Sequence, residues 1–357
     1  MSRARLALVV VAGIAALPLA GLVLGACVFN APAYRGPVSD HFDGDVFKND
    51  AFTDQNDFAR LIQWQMNRER GEWPEWVDAP PGEKPPESVD DGSVRVTMVN
   101  HATLLIQMDG VNVLTDPVWS LRTSPVSFAG PSRRRPPGIR FEDLPKIHVV
   151  VISHNHYDHL DVETLARLAR EHAPRILVPL GNTALLEQEG IAGGEDGDWW
   201  DVVQVSDRVK VVHAPAQHFS GRGMSDRMKT LFAGFVVEGP SARVFFAGDT
   251  GYGPHFTAVR EKLGAPDIAL LPIGAFRPRW FMKAVHTDPS DAMQAHVDLG
   301  ARFSIGMHFG TFPLADDGAD EPVVELEKAR AARGIAEDVF VAPKNGESFV
   351  WRRGESL

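Results

Sequence analysis

The stretch "SHNHYDHLD", residues 153–161, puts three histidines and two aspartates into nine positions. His154 and His156 are two apart, so at a strand end their imidazoles can point the same way. Asp158 and His159 follow where the chain must turn. The preceding run, "KIHVVVIS", reads as a buried strand, and "DVETLARLAREHA" after it has helical spacing. Neutral imidazole and carboxylate are ordinary ligands of zinc and similar divalent ions. Four such side chains within six residues, delivered by a buried strand, point to a metal site.

Working outward, three more polar residues stand at the mouths of apolar runs. His218 follows "VKVVHAPAQ", Asp249 ends "ARVFFAGD", and His308 ends "RFSIGMH". An unpaired carboxylate after so apolar a run as "ARVFFAG" would be costly. Strand ends are where α/β enzymes collect their sites. Together the seven donors suffice for two ions with a shared bridge.

The rest of the chain alternates short β-rich runs ("VRVTMV", "ATLLIQM", "VNVLTD", "RILVP", "FAGFVVEG", "DIALLPIG", "VFVAP") with helical patterns ("PSDAMQAHVDLG", "EPVVELEKARAARG"). Asp109-Gly110 is a hairpin signal. Strand sets on both sides of residue 200 or so fit a layered α/β sandwich better than a helical bundle.

The motifs "HNHYDH", "QH", "AGDTG" and "MHFG", in this order, resemble the metallo-β-lactamase superfamily over residues 94–350. The resemblance implies an αββα sandwich, two mixed sheets flanked by helices. It implies one zinc on His154, His156 and His218, and a second on Asp158, His159 and His308, with Asp249 bridging; other divalent transition metals would also suit such donors. The longer stretches "NHATLLIQMDGVNVLTDPVW", "IGAFRPRWFMKAVHTDP" and "HFGTF" are similar to the N-acylphosphatidylethanolamine-hydrolysing phospholipase D group. One position departs: the residue before the "H-x-DP" histidine is often Gln in that group and is Val285 here.

The resemblance implies a phosphodiesterase in which paired metals activate a bridging hydroxide for attack on phosphorus. Asp158 and Asp249 are then catalytic as well as ligating. His286 is the candidate for a non-metal catalytic or substrate-orienting group. Asp116, in "LTDP", and His101 are expected behind the ligands, fixing their orientation; a turn-capping role before Pro117 is the other reading of Asp116. Trp280 reads as core or as acyl-chain contact. Arg133, Arg134 and Arg135 form the one basic run, either a solvated loop or a dock for lipid phosphates. Two other readings of the whole stay open: a hydrolase of lactones or cyclic phosphoesters, and a non-catalytic metal- or lipid-binding envelope lipoprotein.

The amino terminus, "MSRARLALVVVAGIAALPLAGLVLGAC", has a cationic start, some twenty apolar residues and then small ones. The lone cysteine, Cys27, completes "LGAC", which resembles a bacterial lipobox. The expectation is a signal peptide over 1–26, with Cys27 lipidated in a bacterial cell envelope. The chain would be periplasm-facing, and Val28 favours the outer membrane; an uncleaved anchor is the alternative. Residues 27–92 read as a membrane-proximal arm, a short helix and a proline-rich linker, and 93–357 as the hydrolase domain. Phe58, Leu61, Ile62 and Met66 mark one face of that helix, which packs on the domain or grazes a membrane with Trp64, Trp73 and Trp76. With 36 basic against 47 acidic residues the net charge is −11, which argues against nucleic acid as a partner. The expected partners are a phospholipid substrate and a membrane surface; a homodimer is compatible with the sequence.

Overall fold

The computed structural model describes residues 29–49 and 58–354. Two seven-stranded mixed sheets face each other. With β6 at Gly194–Gly197, β7 at Val202–Gln204, β13 at Phe340–Val341 and β14 at Ser348–Arg352, the first runs β14-β1-β2-β3-β4-β5-β6 and the second β13-β12-β11-β10-β9-β8-β7. In the first sheet, β1 (Ser93–Asn100), β2 (Thr103–Met108) and β3 (Val111–Thr115) form an antiparallel meander. Strand β4 (Val149–Val151) then joins β3 in parallel, and β5 (Arg175–Pro179) joins β4. In the second sheet, β8 (Lys210–Ala214) pairs with β9 (Gly234–Glu238) and β9 with β10 (Arg243–Phe246), both antiparallel. Strands β10, β11 (Ile268–Pro272) and β12 (Phe303–Met307) run parallel.

Alternation within the strands explains the layers. Leu104, Ile106 and Met108 join Phe235, Val237, Phe245 and Leu270 in the core between the sheets. The alternate residues Leu105, Leu114 and Val150 pack outward with Leu165 and Leu168. A strand buried on both faces is apolar throughout, which is why these runs were readable. Helix α1 is Phe58–Met66. Helix α2, Val162–Glu171, starts at Asp161, whose side chain accepts from Thr164 N and from Thr164 Oγ1 at 2.6 Å. The last aspartate of the opening stretch is therefore a cap. After α3 (Thr183–Gln188), α4 (His255–Leu263) and the short α5 (Arg279–Met282), helix α6 (Pro289–Leu299) begins at the cap Asp288, with Pro289 at its first turn, and ends at Gly300 with φ 64°. Helix α7 spans Glu321–Arg333.

The region before β1 packs on the domain. Phe42 and Phe47 of the arm are buried with Trp199, Leu231 and Phe232. The proline-rich stretch is stitched to the first sheet, with Gln107 Nε2 donating to Pro86 O and Asn112 Nδ2 to Glu87 O, each at 2.8 Å. Helix α1 is turned opposite to its apolar spacing. Leu61, Ile62 and Met66 are exposed, while Trp64 is buried and donates to Asp316 Oδ2 at 2.8 Å. Buried on the domain, Trp64 cannot lie at headgroup depth. Among the described residues no helix is long and apolar enough to cross a membrane; residues 1–28, Cys27 included, lie outside them.

Candidate metal centre

The parallel strands β3 and β4 of one sheet and β10, β11 and β12 of the other end at a common edge. The loop after β4 carries His154, His156, Asp158 and His159. His218 comes four residues after β8, Asp249 three after β10, and His308 directly after β12. Three non-glycine residues here have positive φ: His101 (48°), Asp116 (32°) and His308 (61°). Such strain persists where the surroundings over-determine it, commonly at functional sites. Gly248, with φ 60°, is required beside Asp249, because a Cβ there would meet Ser153 Cβ at 2.5 Å.

The donors converge in groups whose ligand atoms lie within 4.8 Å of one another: His154, His156 and His218; His101, Asp158, His159 and His308; and His154, His159 and Asp249. His154 Nε2 and His156 Nδ1 are 2.7 Å apart, and His218 Nε2 is 3.4 Å from the latter. Asp249 Oδ2 lies 3.2 Å from His159 Nε2, 3.1 Å from His308 Nε2 and 3.8 Å from His218 Nε2. One carboxylate thus faces both sets.

Hydrogen bonds behind the donors select their tautomers. His159 Nδ1 donates to Asp116 Oδ2 at 2.6 Å. Ser153 Oγ donates to the same oxygen at 2.6 Å and accepts from His154 Nδ1 at 2.9 Å. His218 Nδ1 donates to Val285 O at 2.8 Å. Each bond leaves Nε2 free to face inward. His101 Nε2 donates to Asp158 Oδ2 at 3.0 Å.

Electrostatics divide the two sets. Burial, reinforced by neighbouring imidazoles, holds His154 well below its ordinary value, and burial takes His156 down to about 3. His218 is likewise lowered by burial. In the other set burial opposes protonation, yet Asp249 and Asp158 prevail, raising His159 well above its ordinary value and His308 to about 9. Asp158 and Asp249 stay ionised: burial works against it, and the imidazoles beside them outweigh burial. Two buried carboxylates need positive charge nearby, and a divalent cation would supply it where those protons sit. The buried His159 Nε2 and Asp249 Oδ1 have no hydrogen-bond partner, as coordinating atoms would not. The residues present fit a metal pair.

His286 joins the cluster. Its Nδ1 is 3.8 Å from Asp249 Oδ2 and makes no hydrogen bond, and burial takes it down to about 4. The "HTDP" stretch places it mechanically: Thr287 Oγ1 donates to Pro272 O at 2.7 Å, and Asp288 caps α6. Val285, the departing residue, has a buried side chain and works through its carbonyl.

Other expected residues fall elsewhere. Arg133 is 5% exposed and braces a loop, its Nε donating to Ser120 O at 3.0 Å and its terminal NH2 to Val118 O at 3.1 Å. Burial lowers it to about 10. Turned inward, it cannot meet lipid phosphates. Arg134 reaches Glu75 O, and Arg135 is partly buried, its pKa lowered by burial. Trp280 is exposed on α5, its carbonyl accepting from Arg60.

Two arginines escaped the sequence reading. Arg279 pins the His286 loop: one terminal nitrogen donates to His286 O at 2.9 Å, and its Nε lies 3.2 Å from Asp288 Oδ2. Arg222 donates from one nitrogen to Asn155 O and Leu160 O, each at 2.9 Å, and stacks over Tyr157, bracing the ligand loop. Neither has a local signal, because both act on distant carbonyls.

A model of the β-lactamase superfamily domain matches residues 111–309. The N-acyl-phosphatidylethanolamine-hydrolyzing phospholipase D 1 of Caenorhabditis elegans is 40% identical over 274 residues, covering 72% of this chain and 76% of that protein. The mitochondrial protein of the same description from Saccharomyces cerevisiae is 33% identical over 246 residues, 67% of this chain and 52% of that one. A solved metallo hydrolase from the archaeon Ignicoccus hospitalis superposes with a TM-score of 0.54 at 24% identity, over 73% of this chain and 99% of that one.

Proposed function

The chain belongs to the metallo-β-lactamase superfamily, and from that premise we propose that it is a membrane-tethered, binuclear phosphodiesterase of phospholipase D type. Its substrate is N-acylphosphatidylethanolamine or a related phospholipid, and its metals are zinc, for which three imidazoles and shared carboxylates are ordinary ligands. The observation that carries the reading is the division of seven convergent donors into two sets that share Asp249. The likeness to the worm and yeast phospholipases supports the substrate class.

Held by these donors, two divalent ions would acidify a water and polarise the phosphodiester. The chain's own groups do the rest. Asp116 and Ser153 keep His159 and His154 in the tautomer that faces inward. Val285 O does the same for His218. Asp249 stays ionised between the sets. His286, neutral and with an unengaged Nδ1, offers a hydrogen bond to the phosphate or the acylamide. No cysteine takes part: the single thiol, Cys27, is reserved for the lipid anchor, which supports an envelope location.

The test is mass spectrometry of products from a mixed phospholipid panel, with metal analysis of the same sample. Wild type releases phosphatidic acid from the N-acylated lipid, and His154→Ala and Asp249→Asn abolish that release with the fold kept. Full activity in metal-stripped protein, or turnover of water-soluble esters with none of lipids, overturns the proposal.

A further inference from the structure

His218 differs from the other donors in how it is held. His308 follows β12 directly and the ligand loop follows β4, whereas His218 stands four residues past β8, on a connection (215–233) with no strand or helix of its own. Its geometry must therefore come from individual bonds. The neighbours are tied down: Gln217 N donates to Thr250 Oγ1 at 2.9 Å, and Ser220 Oγ to Thr230 O at 2.6 Å. The carbonyl of His218 itself accepts from Asn49 Nδ2 at 2.9 Å. Among the described residues no other group bonds to that carbonyl.

Asn49 belongs to the arm before β1, and local chemistry explains its arrival at the site. Residues 39–48 close on themselves as a small hairpin. Asp43 Oδ1 accepts from Asp45 N at 3.0 Å and Val46 N at 2.9 Å, Gly44 supplies a φ of 98°, and Lys48 N donates to His41 O at 2.8 Å. Phe42 and Phe47 pair across this hairpin and are buried with Leu231 and Phe232. Polar contacts fix its register. Phe47 N donates to Met228 O at 2.8 Å, and His41 Nε2 lies 2.8 Å from Asp198 Oδ1, its ring stacked 4.5 Å from that of Trp199. The hairpin thus rests on the connection that carries His218, and Asn49 follows two residues after Phe47. It lies outside residues 111–309, which match the domain model.

We propose that Asn49 is a positioning residue of the metal centre: by holding the His218 carbonyl it sets the direction of one imidazole in the His154, His156 and His218 set. The arm is thereby a working part of the site. The inference deepens the two-metal reading above and rests on it. Asn49 acts on one set only, because Asp116 and His101 brace His159 and Asp158 in the other. A partner behind a ligand histidine is worth about tenfold or more in metal affinity, and a neutral amide-to-carbonyl bond belongs at the low end of that range.

Metal titration tests this without using catalysis. Full-length wild type, Asn49→Leu (similar shape, no donor) and Phe47→Ala (hairpin loosened) are titrated with Zn2+ against a chromophoric chelator. Leu326→Ala, in a core residue of α7, is the control for lost stability. Asn49→Leu and Phe47→Ala should keep one ion at wild-type affinity and bind the other about tenfold more weakly, while Leu326→Ala keeps both. Unchanged affinities in Asn49→Leu, equal losses at both ions, or the same selective loss in Leu326→Ala overturns the proposal. A wild type that takes up a single ion overturns the binuclear reading instead. Weaker uptake of that ion by Asn49→Leu would then still support the role of Asn49, and equal uptake would overturn it.

Discussion

Asp116 Oδ2 and His159 Nδ1 lie 2.6 Å apart, with both side chains wholly shut from solvent. Buried behind the donors, Asp116 orients one imidazole in each donor set, His159 directly and His154 by way of Ser153. Replacing it by Asn keeps the shape and removes the charged acceptor. Asp116→Asn should weaken metal binding about 10- to 100-fold, read by competition with a chelator, at unchanged circular dichroism. Unaltered affinity would remove Asp116 from this role.

Arg279 is expected to act on the His286 loop and not on the metal donors. Arg279→Gln frees the carbonyl of His286 and the cap Asp288, so kcat should fall about tenfold or more, as misplaced reacting groups do. Metal content should stay at the wild-type value. Loss of metal in this variant would show that the loop supports His218 instead.

Val285 invites restoration of the family's glutamine. Its side chain is 3% exposed, so Val285→Gln buries an amide without a partner and should cost about 1–3 kcal/mol in chemical denaturation. Metal should be retained, since the carbonyl that holds His218 belongs to the backbone. A gain in activity at undiminished stability would show that the amide reaches the site.

His255, whose Nε2 lies 3.1 Å from Thr250 Oγ1, supplies a pH test on a group that is not itself a donor. Burial takes it from 6.5 down to about 3, so it is neutral in the fold and gains a proton on unfolding once the pH drops below 6.5. Stability is full above that value and is lost as pH falls toward 3, by about 1.4 kcal/mol per pH unit from this group. Metal-free wild type should therefore lose more stability between pH 7 and 5 than metal-free His255→Gln. Equal losses would show that His255 is protonated in the native state.

How legible these features were follows from what kind of contact makes them. Strands β1 to β5 and β8 to β12 are largely apolar and largely buried, and the seven donors stand at or near the ends of such runs, so hydropathy and spacing found both. Strand β6 (Gly194–Gly197) has no apolar residue and exists through its pairing with β5. Phe42 and Phe47 are aromatics without a period, and only Trp199 and Phe232 across the fold make them core. Helix α1 packs on the domain, one of its two readings, but with its apolar face turned out, because amphipathic spacing says that a face is apolar without saying which way it turns; Trp64 and Arg68, both bonded to Asp316, decide it. Arg133, in a basic run, is spent on two backbone carbonyls.

The distribution of the donors has a consequence for the whole molecule. His154, His156, Asp158 and His159 hang from one sheet, and His218, Asp249 and His308 from the other. Any ion gripped by both groups is a cross-link between the two halves of the sandwich, closing the seam at one edge. Folding and metal supply then become a single equilibrium: the unfolding midpoint climbs with free metal, and a chelator weakens the layers' hold on each other as well as the chemistry. With metal bound in this way, the protein's persistence would itself report how much free metal surrounds it.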